Sequence, residues 1–308
     1  MTLRGRDFLS VDDLTPDELH LLLDFARDLK GRLRAGDRPA LLAGKTLAMV
    51  FEKPSLRTRV SFETAMFQLG GNAIYLGPQD IQLGVREPVA DAARNLERMV
   101  DGIMARTFAH ATITGLAEAA RCPVINGLSD LEHPTQALGD LLTLVARHPR
   151  LQELRVAWIG DGNNVCHSLL LGAVKMGVNV AIATPPGYAP AERVLVRART
   201  IAAATGADVT LTTDPKQAAA GADAVYTDVW ASMGQEAERE ERARVFRPFQ
   251  VNAALLARAK PTAVVMHCLP AHRGEEITDD VLDGAHSIAY DQAENALHAK
   301  KALLAMLL

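Results

Sequence analysis

The run Leu154-Arg155-Val156-Ala157-Trp158-Ile159-Gly160 is short and apolar. It is followed by a helical stretch, CHSLLLGAVKMG (166–177), and then by a second apolar run, VNVAIAT (178–184). Apolar runs of this length, closed by a glycine turn and joined by a helix, are buried parallel strands with a right-handed crossover. The same alternation continues downstream with ERVLVRARTIAAATG (192–206), ADVTLT (207–212), DAVYTDVW (223–230) and TAVVMHCL (262–269). Upstream, before His148-Pro149, an independent series runs through KTLAMVF (45–51), a helical stretch from about 57 to 69, and NAIYL (72–76). It goes on with VADAARNLERMV (89–100), GIMAR (102–106), PVIN (123–126) and PTQALGDLLTLVAR (134–147). Thr15-Pro16-Asp17-Glu18 opens the first helix, with a capping threonine, proline at the first helical position and a capping-box glutamate. The expected fold is therefore α/β, with two doubly wound parallel-sheet domains flanking a cleft. The first spans 1–150 and the second 151–290, and a C-terminal helix at about 291–308 packs back on the first domain.

The chain has 308 residues, a length that accommodates two domains, and is 48% hydrophobic and 23% charged, as soluble globular proteins are. A net charge of −4 supplies no general attraction to nucleic acid or acidic lipid, so an anion site has to be local. No uncharged apolar stretch approaches the roughly 20 residues that span a bilayer. Arg4, Arg6 and Asp12-Asp13 at the start do not read as a signal peptide, and the expected location is cytoplasmic. Cys122, Cys166 and Cys268 are too few and too scattered for a disulfide framework or a metal-binding pair; Cys122 and Cys166 are expected in the core. The segment EAEREERAR (236–244) sets Glu238 against Arg242 and Glu240 against Arg244, the pattern of a solvated helix face.

In an open parallel sheet, ligands gather at the carboxyl ends of strands, and the chemically informative residues lie there. Phe51-Glu52-Lys53-Pro54-Ser55-Leu56-Arg57-Thr58-Arg59 joins a strand to a helix. A helix start offers unpaired N–H groups and partial positive charge; Ser55 and Thr58 add hydroxyls, and Arg57 adds a planar fork for phosphate oxygens. On its own the segment is equally a capped helix with solvated arginines, and it lacks the glycines of a Walker loop. Arg106 closes the strand GIMAR. His133-Pro134-Thr135-Gln136 opens a helix and places His133 and Gln136 three residues apart, able to point into one site. In the second half, Gly160-Asp161-Gly162-Asn163-Asn164-Val165 is similar to a dinucleotide turn. Val165 stands where the third glycine belongs, however, and the next strand ends without an acidic residue for a ribose.

Ser-x-Arg-Thr-Arg, a strand-end arginine and His-Pro-x-Gln together resemble the aspartate and ornithine carbamoyltransferase family, and the resemblance runs from end to end. It implies that the first domain binds carbamoyl phosphate and the second an amine acceptor, with no metal or organic cofactor. The implied assembly is a homotrimer or a multiple of trimers with active sites at subunit interfaces, and no nucleic acid or membrane partner. By resemblance, Ser55, Leu56 (through its main chain), Arg57 and Thr58 hold the phosphate. Arg106 bridges to the carbonyl, His133 polarises it and Gln136 binds the carbamoyl nitrogen. Gln82, in Asp80-Ile81-Gln82-Leu83-Gly84, resembles the loop that a neighbouring subunit contributes.

The ornithine branch is favoured over the aspartate branch by three segments of the second half. Asp-Gly-Asn-Asn resembles the family's ornithine-binding turn, which implies that Asn164 faces the amino acid. Asp228-Val229-Trp230-Ala231-Ser232-Met233-Gly234 offers a carboxylate for an ammonium group, with Ser232 and the Met233 backbone for the head group, and reads as a lid that excludes water. His267-Cys268-Leu269-Pro270 resembles the segment that, in the ornithine branch, brings Cys268 and the Leu269 carbonyl to where the side-chain amine enters, which implies a Cys268 thiolate paired to Asp228 that helps the amine lose its proton. The implied reaction carbamoylates ornithine to citrulline in arginine metabolism, and alternatives are another amine such as putrescine or lysine, or a catalytically weakened binding homologue. The departure that keeps the last alternative open is Ala296 in Gln292-Ala293-Glu294-Asn295-Ala296, where the family ordinarily carries an arginine that reaches carbamoyl phosphate. A raised KM for carbamoyl phosphate follows unless Lys300 or Arg273 takes that place.

Overall fold

The computed structural model describes residues 3–148, 150–232, 234 and 236–308. Its contacts divide the chain into two compact units, Met1–Leu142 with Glu294–Leu308, and Thr143–Ala293.

In the first unit, α1 (Pro16–Arg34) starts at Thr15, whose hydroxyl accepts from the Glu18 N–H while the Glu18 carboxylate accepts from the Thr15 N–H. Then come β1 (Thr46–Phe51), α2 (Leu56–Gln68), β2 (Asn72–Leu76), the one-turn α3 (Pro78–Ile81), α4 (Val89–Leu96), β3 (Gly102–Arg106), α5 (His110–Ala119), β4 (Val124–Leu128) and α6 (Pro134–Arg147). The four strands are parallel in the order β2-β1-β3-β4. Every residue of β3 and β4 is buried, which explains why these strands read as continuous apolar runs rather than alternating ones.

The second unit holds β5 (Arg155–Ile159), α7 (Asn164–Lys175), β6 (Asn179–Ala183), α8 (Glu192–Thr205), β7 (Val209–Thr212) and α9 (Pro215–Ala219). It continues with β8 (Ala224–Thr227), α10 (Arg239–Phe246), α11 (Ala253–Leu256), β9 (Val264–His267) and α12 (Asp279–Leu282). Its five parallel strands run β7-β6-β5-β8-β9. Trp158 and Tyr226, fully buried on neighbouring strands, pack ring to ring at 4.9 Å. The last helix, α13 (Ala289–Leu307), starts in the second unit and from Glu294 onward belongs to the first.

In both sheets the strand order reverses once, between β1 and β3 in the first and between β5 and β8 in the second. The carboxyl ends flanking such a reversal form the crevice where open α/β sheets take their ligands. β1 leads into Ser55–Thr58 and β3 ends on Arg106; β5 leads into Asp161–Asn164 and β8 into Asp228.

Three local expectations differ from what is found. α5 lies between β3 and β4, where no element was expected: its HATITGLAEA carries two β-branched threonines and a glycine and only a weak apolar stripe. Arg242 pairs with Glu238 at 2.8 Å as its spacing predicts, yet it is buried, and donates also to Asp161 at 2.8 Å and to the Trp230 carbonyl at 3.0 Å. It belongs to a folded network, not to a solvated face. Cys166 is buried, whereas Cys122 is only half-buried.

Candidate active site

In the first unit, Ser55 caps α2. Its Oγ accepts from the Thr58 N–H at 3.3 Å and donates to Thr58 Oγ1 at 3.1 Å, which ties both hydroxyls to the first turn. Leu56 is the first helical residue and its side chain is exposed, so only its main chain can serve the site. Arg106, buried at the end of β3 opposite Phe51 of β1, directs Nη1 to Thr58 Oγ1 at 3.4 Å. Arg59 points elsewhere: it stacks on the Tyr75 ring at 3.8 Å and pairs with Glu63 at 3.0 Å.

His133 and Gln136 are both buried at the start of α6. Burial, reinforced by the charges of Arg106, Lys300, Lys53 and Arg57, holds His133 well below the ordinary imidazole range. The ring is therefore neutral near pH 7 and has one N–H to donate. The Gln136 Nε2 donates to Asp140 Oδ1 at 2.8 Å. A carboxylate only accepts, so this bond fixes the amide and leaves Oε1 as the acceptor for a ligand N–H. Ser55, Thr58, Arg57, Arg106, His133 and Gln136 thus converge at the reversal point of one sheet.

Two further cations join them, Lys53 and the Lys300 named above as a stand-in for the missing arginine. Lys53, buried after β1, sits 4.8 Å from the centre of the Phe108 ring, and burial together with Arg106 lowers its ammonium to about 8. Lys300, buried on α13, donates to Ser61 Oγ at 2.8 Å. Gln82 is not drawn into this cluster. It is exposed, in the left-handed region at φ 45°, and lines a groove of about 500 Å³ with Glu52, Leu83, Val85 and Phe108.

In the second unit Asn163 ties the turn to Asp228. Its Oδ1 caps α7 by accepting from Val165 N–H at 3.0 Å and Cys166 N–H at 3.1 Å, and its Nδ2 donates to Asp228 Oδ2 at 2.8 Å. Asn164 is the half-buried first residue of α7. Gly162 is required here, since a side chain on it would run into the backbone of Ala189 and Pro190. Asp228 Oδ1 accepts from the Val229 N–H at 2.8 Å and from Cys268 Sγ at 2.9 Å. Asp161 stands close enough for its charge to bear on Asp228. Burial lifts its pKa to about 6, although Arg242 pairs with it and pulls the other way.

Leu269 adopts φ 59°, a left-handed conformation that costs a branched side chain about 1–3 kcal/mol. The turn is held by the Leu269 N–H donating to His267 Nδ1 at 2.8 Å, with His267 Nε2 on Glu276 at 3.1 Å. Both ring nitrogens of His267 are thereby used. Asp228, His267 and Cys268 bring their polar atoms within 4.8 Å of one another, Cys268 bonded to Asp228 and His267 to Leu269 and Glu276. Ser232 is half-buried, and Met233 lies outside the described residues. Arg273 is exposed and engaged with Asp279 at 2.8 Å and Asp283 at 2.7 Å.

Two family models match the chain. The aspartate/ornithine carbamoyltransferase carbamoyl-P binding domain covers residues 6–146, and the Asp/Orn binding domain of the same family covers 152–307. An ornithine carbamoyltransferase of Carboxydothermus hydrogenoformans is 55% identical over 99% of this chain and 98% of its own. One of Pyrococcus furiosus, named as anabolic, is 53% identical over 100% of this chain and 98% of its own. The solved structure of the ornithine carbamoyltransferase from Pyrococcus furiosus superposes with a TM-score of 0.97 at 53% identity, covering 100% of this chain and 98% of that one.

Proposed function

The chain belongs to the aspartate/ornithine carbamoyltransferase family, and on that premise we propose that it transfers the carbamoyl group of carbamoyl phosphate to the side-chain amine of L-ornithine, giving L-citrulline and phosphate. The observation that carries the choice of acceptor is the carboxylate Asp228, held by Asn163, Val229 and Cys268 at the reversal point of the second sheet. A carboxylate presented this way suits an ammonium group, whereas a second substrate carboxylate would need a cation there. Another amine, or a weakened binding homologue, finds no support among the relatives, which are named as ornithine carbamoyltransferases.

The phosphoryl oxygens sit on the first-turn N–H groups of α2, the Ser55 and Thr58 hydroxyls, the Leu56 main chain and Arg57. Arg106 reaches from phosphate to carbonyl, neutral His133 donates to that carbonyl, and Gln136 Oε1 accepts from the carbamoyl NH₂. Thr58, Arg106 and His133 are then fixed donors for the developing oxyanion. Carbamoyl phosphate is already a reactive mixed anhydride, so alignment of a neutral amine suffices without a covalent enzyme intermediate. Asp228 takes the ornithine ammonium, Asn164, Ser232 and Met233 take the head group, and Cys268 with the Leu269 carbonyl meets the amine and the carbamoyl group. The departing phosphate is basic enough to take the amine's proton.

The proposed setting is arginine biosynthesis in the cytoplasm; among the described residues no helix is long and apolar enough to cross a membrane. The proposed assembly is a homotrimer, with the exposed Gln82 loop serving a neighbour's site. In its favour, Ile74 of the edge strand β2, Val60 and Phe67 of α2, and Val85 and Met99 are large apolar side chains left exposed. Light scattering at three times the 33.2 kDa chain mass, or a multiple of that, is expected; a monomer contradicts the assembly. The activity is tested by product analysis with carbamoyl phosphate and equal amounts of ornithine, lysine, putrescine and aspartate. Ornithine is expected to be preferred by at least about a hundredfold in kcat/KM, the ratio that about 2.7 kcal/mol of lost head-group contacts gives; equal use of putrescine refutes the acceptor.

A further inference from the structure

The phosphate half-site holds more positive charge than its motifs account for. Arg57, Arg106 and Lys53 surround the first turn of α2, and α13 brings a further cation, Lys300, at 3% exposure. The charged groups bearing on Lys300 are Arg57 on α2, Arg106 at the end of β3 and Asp140 on α6, and Lys300 in turn bears on His133. Asp140, the carboxylate among them, also accepts from Gln136. An ammonium buried among cations is unfavourable until an anion completes the group.

Lys300 is also wired to the anion-binding turn. Its Nζ donates to Ser61 Oγ at 2.8 Å, and Ser61 donates onward to the carbonyls of Arg57 at 2.6 Å and Thr58 at 3.1 Å. The Phe62 ring lies 5.3 Å from the ammonium. One turn earlier on α13, Ala296 is pressed against α6: a Cβ on Gly139 would come within 2.7 Å of the Ala296 Cα. That close approach leaves no room for a long side chain directed at α6, and the helix presents its cation one turn later.

We propose that Lys300 is a positioning residue of the phosphate site, its ammonium offsetting the phosphoryl dianion through the first turn of α2, and that filling the site draws a proton onto Nζ. The inference rests on reading this half-site as the carbamoyl-phosphate site. Burial and Arg106 lower the ammonium to about 7 against the opposing pull of Asp140. A dianion beside Arg57 and Thr58 raises it again, and the proton comes from the buffer, with no other bond changed.

The test is calorimetry of the full-length protein with sulfate, a dianion that does not titrate near neutrality, in two buffers of different ionisation enthalpy at about pH 8, above the Lys300 value. The wild type is expected to take up a fraction of a proton and Lys300→Met to take up less, the remainder belonging to Lys53, whose ammonium is lowered to about 8. In citrulline assays near neutral pH, Lys300→Met is expected to raise the KM for carbamoyl phosphate about tenfold to a hundredfold, as loss of a charge-assisted contact does, with the ornithine KM within about twofold. No uptake by the wild type, a measurement that needs no variant, overturns the proposal, as does equal uptake by a folded Lys300→Met. A wild type that takes up the proton with sulfate but forms no citrulline refutes the reaction and leaves the Lys300 linkage standing.

Discussion

Asn163 does two separable things, and substitutions can divide them. Its Oδ1 caps α7 through the N–H groups of Val165 and Cys166, and its Nδ2 donates to Asp228 Oδ2 at 2.8 Å. Serine is as good a helix cap as asparagine but offers no amide donor long enough for Asp228, so Asn163→Ser removes the second role alone. Alanine removes both. A hydrogen bond to a charged group contributes about 1.5–3 kcal/mol, and its loss at the acceptor carboxylate corresponds to about tenfold to a hundredfold in kcat/KM for ornithine. Loss of the cap costs about 1 kcal/mol of stability, roughly 2–4 °C in Tm for a unit of this size. Steady-state citrulline kinetics and a thermal melt read the two effects apart. Both variants are expected to lose ornithine kcat/KM equally and to keep the KM for carbamoyl phosphate, with only Asn163→Ala melting earlier. If Asn163→Ser retains wild-type kcat/KM, Asn163 does not position Asp228 for substrate.

Cys268→Ala removes the thiol that donates to Asp228 at 2.9 Å; kcat for citrulline should fall about fivefold to tenfold, the worth of one ordinary hydrogen bond, and an unchanged rate and pH profile would remove Cys268 from the mechanism. His133 is held well below the imidazole range by burial and neighbouring cations, so its neutral form is the one the fold favours. Its contribution to stability is present above the unfolded value of about 6.5 and is lost as pH falls toward the lowered folded value. Imidazole chemical shifts followed by NMR should show no His133 inflection between about pH 6 and 8, and His133→Gln should lose less stability than the wild type on acidification. Arg59, spent on Tyr75 and Glu63 at the surface, should be replaceable by alanine with less than about threefold change in the KM for carbamoyl phosphate, because exposed pairs of this kind contribute under about 1 kcal/mol; a tenfold rise would place it in the phosphate grip.

Local signals carried a large part of this architecture. The Thr15–Glu18 capping box, the apolar runs of both sheets and helix α6 depend on neighbours within a few residues, and those neighbours are adjacent in the sequence. Ser55, Thr58, Arg106, His133 and Gln136 were legible as candidates because each stands at a strand or helix end, where ligands gather. The contacts that escaped notice are long-range. Lys300 meets Ser61 from 239 residues away and Arg242 meets Asp161 from 81, and no spacing rule connects them. The pair Asn163-Asn164 shows a subtler case: the motif points to Asn164, and the cap geometry that turns the Asn163 amide onto Asp228 is visible only in the fold. A division of the chain at residue 150 differs from the observed one because helices α6 and α13 each carry residues of both units, which only tertiary contacts reveal.

The central claim is transfer rather than hydrolysis, and it is tested most directly by measuring citrulline and phosphate together from carbamoyl phosphate and ornithine. The account predicts that the two products appear in equal amounts, that both depend on ornithine, and that Arg106→Ala suppresses both. Phosphate release without citrulline, or citrulline formation unaffected by loss of Arg106, would contradict it.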